Sequence, residues 1–381
     1  MPSGPPADLQ ARLDALGTAP AAVVPAVDLV LDEAVRRAAS DVHFEPTPAA
    51  LDIRFRADGV LHRVATLDRK LAPNVVARLK VLADLLTYRV DIPQEGGIRP
   101  DRSPGRADMR VSTFPTVHGE KAVVRVFDAA AELLDLRTTR LRPETLHALG
   151  DLLRAATGDL PDRPSGSGKT TTIYACLRRL VRDGAGRHVV TIEDPVERWV
   201  EGVSQSQARP GTEFDFARGL RSLLRQDPDV IMVGEIRDRE TAGVAIEAAL
   251  TGHLVFSTLH AGSACGVVGR LLDMGVEPYL LTSGVKGVLN QRLLRRRCSD
   301  CRGAGCERCL GSGYRGRFLV AELLIPDDTF RRAVLAKSDA TALEAAATES
   351  GWRTIRAEAD AAVADGQTTA DEVVRVLGPR R

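Results

Sequence analysis

The sequence predicts an α/β protein in which a domain with a parallel-type sheet follows a smaller α+β domain. A chain of 381 residues exceeds what one hydrophobic core usually serves, so two domains are expected. The first part has strands of alternating polarity, whereas the second part alternates helices with short, almost wholly apolar strands. Strands of the second kind are typical of a parallel sheet that helices cover on both faces.

The composition excludes several broad classes of protein. Lys and Arg number 52 and Asp and Glu number 51, so no overall basic field indicates direct binding to nucleic acid. No apolar run reaches the roughly 18 residues of a membrane-spanning helix. The opening residues, MPSGPPADLQ, lack the layout of a signal peptide. The sequence therefore predicts a cytoplasmic protein.

The first domain is predicted over residues 27–128, after a flexible Pro- and Ala-rich arm at 1–26. In the segment LDIRFR, apolar residues alternate with charged ones, which indicates a half-buried strand. The pair Asp58-Gly59 then predicts a hairpin, because glycine accepts the positive φ of a tight turn. The other elements expected here are a helix from Val27, a helix over about 71–86, and strands around 109–113 and 121–127.

The second domain is predicted over residues 141–381, after a charged linker at 129–140. Its strands are short and apolar, and helical segments separate them. Helices alone are expected over about the last fifty residues. The strands predicted for the sheet are His188–Ile192, Val230–Val233 and Leu254–Thr258.

A segment rich in glycine and serine leads directly into the predicted helix TIYACLRRLV. Small residues let backbone N–H groups surround a phosphate at a helix N-terminus, Lys169 supplies charge for the β and γ phosphates, and Thr170 supplies a hydroxyl for Mg²⁺. The alternative is an ordinary Gly- and Ser-rich turn before a helix. The residues predicted to bind ATP are Ser165, Gly166, Ser167, Gly168, Lys169, Thr170 and Thr171.

The front of this phosphate loop departs from the motif G-x-x-x-x-G-K-[ST]. Arg163 occupies the position of the first glycine, and Pro161-Asp162 precedes it where a buried strand should end. Either the phosphate-binding loop is weakened, or the gene sequence contains an error in which one base was inserted and one was lost. The corrected reading changes Leu-Pro-Asp-Arg-Pro to Leu-Leu-Thr-Gly-Pro, a normal strand end and glycine. Resequencing the gene distinguishes the two.

Acidic residues and a histidine follow three of the predicted strands. Because strand ends of an open α/β sheet converge on the ligand crevice, these side chains are expected to face the phosphates. Glu235 is placed to act through Mg²⁺ or its waters, and either Glu193 or Glu235 to orient the attacking water. Taken singly, a carboxylate that ends a strand is more often a helix cap or an ion-pair partner, and a lone histidine is usually structural. The predicted catalytic positions in these segments are Glu193, Glu235 and His260.

Four of the six cysteines lie close together in a predicted subdomain at 295–317. Two C-x-x-C pairs let four thiolates meet around Zn²⁺ with no open coordination position, which indicates a structural site. The alternative is free or disulfide-bonded cysteines, which a reducing compartment disfavours. The predicted ligands are Cys298, Cys301, Cys306 and Cys309.

Together these segments closely resemble the type II secretion and type IV pilus assembly ATPases, over residues of about 28 to 365. The resemblance implies a RecA-like P-loop ATPase domain after a PAS-like domain, with a small zinc-binding insertion. The matching segments are GSGKTTTIYA for the Walker A motif, IEDPVE for the Asp box, RGLRSLLRQDPDVIMVGEIRDRETA for the Walker B region, TGHLVFSTLH for the His box, and ASDVHFEP, RFRADGVLH and RVSTFPTVHGEKAVVRVFD for the PAS-like domain.

The same resemblance implies a homo-hexamer in which the PAS-like domain closes over the nucleotide. Arg110 and Arg125 match arginines that reach the phosphates in this family, although both are otherwise readily explained as solvent-facing strand residues. The segment QEGGI replaces the family's usual Q-D-G-R-I. The family's first N-terminal domain is expected to be absent or reduced to roughly 25 residues.

The resemblance further implies a subunit held at the cytoplasmic face of the inner membrane by a platform protein and an adaptor. The leading hypothesis is an ATP-hydrolysing motor that drives assembly of a type II secretion pseudopilus or a type IV pilus. Paired cysteines at this position are typical of the assembly and secretion members. The alternatives are a hydrolysis-deficient structural subunit, which Arg163 motivates, and a motor for DNA uptake or conjugation.

Overall fold

A computed structural model of the chain describes residues 9–101, 107–127, 142–157, 169–182, 186–209 and 211–380. The chain divides into two compact units. One comprises Met1–Ala131 together with Cys298–Gly316, and the other comprises Glu132–Arg297 together with Arg317–Arg381. The cysteine segment thus groups with the first unit, although in sequence it lies between the two parts of the second unit. The predicted linker at 129–140 lies outside the described residues.

The first unit contains a six-stranded sheet with strand order β3-β2-β1-β6-β5-β4. Neighbouring strands run antiparallel throughout this sheet. Three helices accompany it within the described part of the unit. The strands are β1 (Asp41–Pro46), β2 (Ala50–Ala57), β3 (Val60–Asp68), β4 (Gln94–Ile98), β5 (Asp108–Thr116) and β6 (Gly119–Phe127), and the helices are α1 (Leu9–Asp14), α2 (Val23–Arg36) and α3 (Ala72–Leu82).

The core of the first unit follows from the sequence alternation. The apolar residues of β2, such as Ile53 and Phe55, are fully buried beside the apolar face of α2. The predicted hairpin is confirmed: β2 ends at Ala57 and β3 begins at Val60. Asp58 and Gly59 form the turn between them with φ of 51° and 82°, the left-handed region that glycine adopts without strain.

The start of the described chain differs from the expected flexible arm. Helix α1 buries Leu9 and Leu13 in the same core as α2 and the sheet. Gln10 adds polar contacts, because its side-chain oxygen accepts from the Thr66 backbone N–H at 2.8 Å. Leucines spaced for one helical face supply the apolar contact that holds this short segment, which composition alone did not indicate.

The second unit contains a parallel sheet with strand order β10-β9-β7-β8. The predicted parallel sheet is therefore confirmed, with an additional edge strand, β8, whose polar sequence VSQSQ gave no apolar signal. The strands are β7 (Val189–Glu193), β8 (Val203–Gln207), β9 (Val230–Val233) and β10 (Leu254–Ser257), and the helices are α4 (Pro143–Thr157), α5 (Lys169–Arg182), α6 (Phe216–Leu223), α7 (Arg239–Leu250), α8 (Ala264–Asp273) and α9 (Pro278–Gly284).

Two long strands and four helices complete the chain. The strands pair with each other as a separate sheet, and the cysteine segment connects them. The expectation of helices alone near the end is confirmed. These elements are β11 (Val288–Arg297), β12 (Tyr314–Leu324), α10 (Asp328–Leu335), α11 (Ala340–Glu349), α12 (Ile355–Ala364) and α13 (Ala370–Leu377). Among the described residues, none of the helices combines the length and apolar character needed to cross a membrane.

Candidate active site

The described residues of helix α5, Lys169–Arg182, include the last three residues predicted to bind ATP. The first N–H groups of a helix lack intrahelical partners and carry partial positive charge, which favours an anion there. The loop residues Ser165–Gly168 and Arg163 lie outside the described residues, as do the side chains of Lys169, Thr170 and Thr171. The structure therefore shows a helix where the motif predicts one, and the start of that helix and the contacts of these side chains stay predictions.

Glu193 ends β7 and is buried, with 2% of its surface exposed. One oxygen accepts from Thr191 Oγ1 at 2.7 Å and from Gln205 Nε2 at 3.1 Å, and the other accepts from the Tyr174 hydroxyl of α5. Burial, together with the hydrogen bond to Glu193, raises the pKa of Tyr174, so this hydroxyl stays a donor. Both oxygens of Glu193 thus have protein donors in the interior of this unit.

Glu235 and His260 lie together beyond the ends of β9 and β10. Glu235 forms an ion pair with Arg237 and keeps 17% of its side chain exposed. His260 Nε2 lies 4.0 Å from Glu235 Oε2, and the His260 side chain is 78% exposed. The parallel strands bring these two predicted residues together, as expected for the carboxyl ends of an α/β sheet.

Backbone and hydroxyl contacts join the strand ends beneath these side chains. Gly234 N–H donates to the Ile192 carbonyl at 2.8 Å, and Thr258 Oγ1 donates to the Gly234 carbonyl at 2.7 Å. Ile236 N–H donates to the Thr258 carbonyl at 3.0 Å. A Cβ on Gly234 would lie 3.2 Å from the Glu193 Cα, so a larger residue would push the two strand ends apart.

Arg110 and Arg125 belong to the first unit and are direct cross-strand partners on β5 and β6. Arg110 Nη2 lies 2.8 Å from Glu95 Oε2, and Arg125 Nε lies 3.1 Å from Asp41 Oδ1. Their side chains are 50% and 66% exposed. Two adjacent guanidinium groups thus project from one face of this sheet, each beside a carboxylate.

The four cysteines of the C-x-x-C pairs converge, with all four sulfur atoms within 4.8 Å of one another. Cys298 and Cys306 Sγ are 3.9 Å apart, and Cys301 and Cys309 Sγ are 3.7 Å apart. A tetrahedral Zn²⁺ with Zn–S bonds of about 2.3 Å requires sulfur separations of about 3.8 Å. The donor set and its spacing therefore fit a zinc ion.

Backbone amides add to the anion-binding character of this cluster. Gly305 N–H donates to Cys301 Sγ at 3.2 Å, and Cys306 N–H donates to Cys309 Sγ at 3.0 Å. Burial raises the pKa of the Cys309 thiol, but hydrogen bonds from the backbone of Cys306 and Gly313 outweigh this and lower it to about 7. The pKa of Cys306 moves the other way, to about 11: a backbone hydrogen bond lowers it, but burial and side-chain hydrogen bonds with the other cysteines outweigh this. Thiolate is the form that binds metal.

Sequence reasoning missed a set of polar residues on β11 and β12. Asn290 and Gln291 are only 8% and 7% exposed, and Glu322 only 2%. Buried polar side chains in strands carry no local motif, so their partners become visible only in the fold. Three β11 residues, Gln291, Arg292 and Leu293, also line a cavity of about 650 Å³, together with His260, Ala261, Gly262 and Leu319.

A phosphate-loop sequence at the start of α5, followed by acidic and histidine side chains at the ends of parallel strands, defines a P-loop nucleotide-binding protein of the α/β class. The sequence pattern of the family described as "Type II/IV secretion system protein" matches residues 17–375. The chain belongs to this family.

Curated relatives of this chain agree with that assignment. It is 43% identical over 365 residues to the type II secretion system protein HxcR of Pseudomonas aeruginosa, covering 93% of this chain and 77% of that protein. It is 42% identical over 386 residues to the type II secretion system ATPase E of Vibrio cholerae, covering 93% and 75% of the two chains.

Solved structures extend the comparison to the fold. The pilus retraction motor PilT with bound ADP aligns with a TM-score of 0.59 and 25% identity, over 91% of this chain and 95% of that chain. The ATPase DotB of Legionella pneumophila aligns with a TM-score of 0.63 and 22% identity, over 91% and 93%. The second likeness concerns the fold alone.

Proposed function

We propose that this chain is an ATP-hydrolysing motor subunit that drives assembly of a type II secretion pseudopilus or a type IV pilus. The observation that carries the proposal is the meeting of Glu235 and His260, 4.0 Å apart, at the sheet edge where β7 also ends. The helix that follows the phosphate-loop sequence contacts that edge through Tyr174 and Glu193. Family membership and relatives named as secretion system ATPases support the same function.

The proposed chemistry is phosphoryl transfer to water. Lys169 binds the β and γ phosphates, and the N-terminus of α5 stabilises their charge. Thr170 and Glu235 would hold Mg²⁺, which neutralises charge on the phosphate oxygens when it is bound. Glu235 is partly exposed, whereas both Glu193 oxygens have protein donors, so Glu235 is better placed to orient a water. Glu193 then fixes the strand end.

The domain organisation that goes with this function is also proposed. The first unit would contain the PAS-like domain that the sequence predicts over 27–128, and the parallel-sheet unit would contain the RecA-like domain predicted over 141–381, with the cysteine segment grouped with the first unit. Arg110 and Arg125 would act on the phosphates when the smaller domain closes in a homo-hexamer. Their placement side by side on one face supports this role. The platform protein and adaptor at the inner membrane would be the partners.

A structural zinc site is proposed for the four converging cysteines. Their sulfur separations of 3.7 and 3.9 Å match a tetrahedral ion, and a site with four protein ligands leaves no position for substrate. Zinc would hold the chain's turn-rich segment between β11 and β12 in one conformation.

The proposed function is tested with Lys169→Ala in protein made from the resequenced gene. ATP hydrolysis should fall to background, because the change removes the charge that the phosphates require, while the circular dichroism spectrum stays that of the parent. Lys286→Ala, a change of an exposed lysine in the same unit, is the control and should keep the parental rate. If the parent itself does not release phosphate, the chain is the hydrolysis-deficient structural subunit instead.

A further inference from the structure

Three consecutive residues of β11 contact two different parts of the candidate site. Because side chains alternate along a strand, Asn290 and Arg292 share one face and Gln291 lies on the other. Arg292 Nη1 donates to Asn290 Oδ1 at 2.7 Å, which joins the two residues of the shared face. This strand therefore has polar contacts in two directions.

On one face, the strand holds the loop that carries His260. Arg292 Nη2 donates to the carbonyl of Ala261 at 3.1 Å and to that of Gly262 at 3.4 Å. Asn290 Nδ2 donates to the Gly262 carbonyl at 3.3 Å. The carbonyls next to His260 thus accept from side chains of one strand.

Glu322 of β12 supports the same contacts from within the core. Its Oε1 accepts from Asn290 Nδ2 and from the N–H of Ala264, each at 2.7 Å, and Ala264 is the first residue of α8. Its Oε2 accepts from the N–H of Ile355, at the start of α12, at 2.7 Å. A carboxylate that is 2% exposed and accepts three hydrogen bonds fixes both helix starts.

On the other face, the strand contacts the first turns of α5. Gln291 Nε2 donates to Thr172 Oγ1 at 3.1 Å, and both side chains are buried. Thr172 lies two residues after Thr170, the residue predicted to hold Mg²⁺. A lost partner here leaves a buried polar group unsatisfied, so the pair resists separation.

We propose that residues 290–292 are positioning residues that set the His260 loop at a fixed place relative to α5. The proposal rests on the proposed function, because it assigns the strand to the site in which ATP would react. A catalytic side chain displaced by about 1 Å loses roughly 100-fold in rate, so a strand that fixes this geometry affects turnover without touching substrate.

The test uses two arginines of the same strand. Arg292→Ala removes the guanidinium donors to the His260 loop and leaves the Asn290 donor in place. Arg295→Ala removes an ion pair with Glu372 of α13, whose closest distance is 2.7 Å. Hydrogen exchange is measured on residues 258–264 of the full-length protein without nucleotide. Arg292→Ala should speed exchange there by about tenfold or more, and Arg295→Ala should leave it within about twofold. This readout needs no enzymatic activity.

Turnover supplies the second readout. Arg292→Ala should lower kcat by about 10- to 100-fold while KM for ATP changes by less than about threefold, and Arg292→Lys should recover part of the rate. If Arg292 acts through His260, the double variant with His260→Ala should be no slower than His260→Ala alone. Arg295→Ala should keep the parental kcat even where its melting temperature falls.

Two results would overturn the proposal. One is a hydrogen-exchange rate at residues 258–264 that Arg292→Ala leaves unchanged. The other is an equal increase of this rate in Arg292→Ala and Arg295→Ala, which would indicate general destabilisation. A parent protein without ATPase activity would refute the proposed function, but the exchange comparison would still decide whether the strand holds the loop.

Discussion

The hydroxyl of Tyr174 is predicted to stabilise the parallel-sheet unit through Glu193. Both side chains are 2% exposed, and Glu193 also accepts from Thr191 and Gln205. A hydrogen bond to a buried charged group contributes about 1.5–3 kcal/mol. Because two other donors remain on the carboxylate, Tyr174→Phe should lower the free energy of unfolding by about 1.5–2 kcal/mol, at the low end of that range.

The assay is urea denaturation followed by far-UV circular dichroism at one protein concentration. Tyr279→Phe, which changes a tyrosine that is 60% exposed, is the matched control and should stay within about 0.5 kcal/mol of the parent. A cycle with Glu193→Gln measures the coupling of the pair, expected at about 1 kcal/mol or more. A neutral Tyr174→Phe, or simple additivity in the cycle, would show that this contact does not stabilise the unit.

Three further predictions follow from the structure. Purified, reduced protein should contain about one Zn²⁺ per chain by metal analysis. Cys301→Ser should act mainly on stability: the melting temperature should fall, while the affinity for ATP should change little. Arg110→Ala or Arg125→Ala should reduce turnover by one to several orders of magnitude, with ATP binding changed less. Glu372→Gln should lower the free energy of unfolding near neutral pH, because it removes a stabilising carboxylate.

The sign of the last effect follows from the pKa of Glu372. Burial raises this pKa, but hydrogen bonds from Arg375 and Arg295 outweigh it and lower it to about 2 from an ordinary 4.5. Its contribution is therefore present above about pH 4.5 and is lost as pH falls towards 2. The midpoints of urea denaturation between pH 7 and 2.5 measure this contribution. If Glu372→Gln has the same pH dependence of stability as the parent, Glu372 does not supply it.

Each of these predictions has a control within the chain. Cys265→Ser changes a buried cysteine outside the C-x-x-C pairs and should leave the zinc content unchanged. Arg63→Ala changes an arginine that is 67% exposed on β3, and should keep the parental turnover. Glu349→Gln changes an exposed carboxylate and should reproduce the parental pH dependence. Equal losses in Arg63→Ala and Arg110→Ala would argue against a role for Arg110 at the phosphates.

The sequence by itself determined the classes of element and the candidate site. Alternation in LDIRFR and the Asp58-Gly59 pair were enough for the first hairpin, because side-chain period and turn φ are local properties. The apolar runs that became β7, β9 and β10 were enough for the parallel sheet, since only strands buried on both faces lose their polar alternation. The C-x-x-C spacing likewise indicated sulfur ligands, because the number and spacing of cysteines are local properties of the sequence.

Only the tertiary structure decided which candidate site residues are buried and which stay exposed. Glu193 and Glu235 look equivalent in sequence, yet Glu193 receives three donors from α5, β7 and β8, while Glu235 stays partly exposed beside His260. The partners of Glu322 are 32 to 58 positions away in the chain, and Gln291 lies 119 positions from Thr172. Hydrogen bonds across such separations depend on how the elements pack, and no local pattern encodes them.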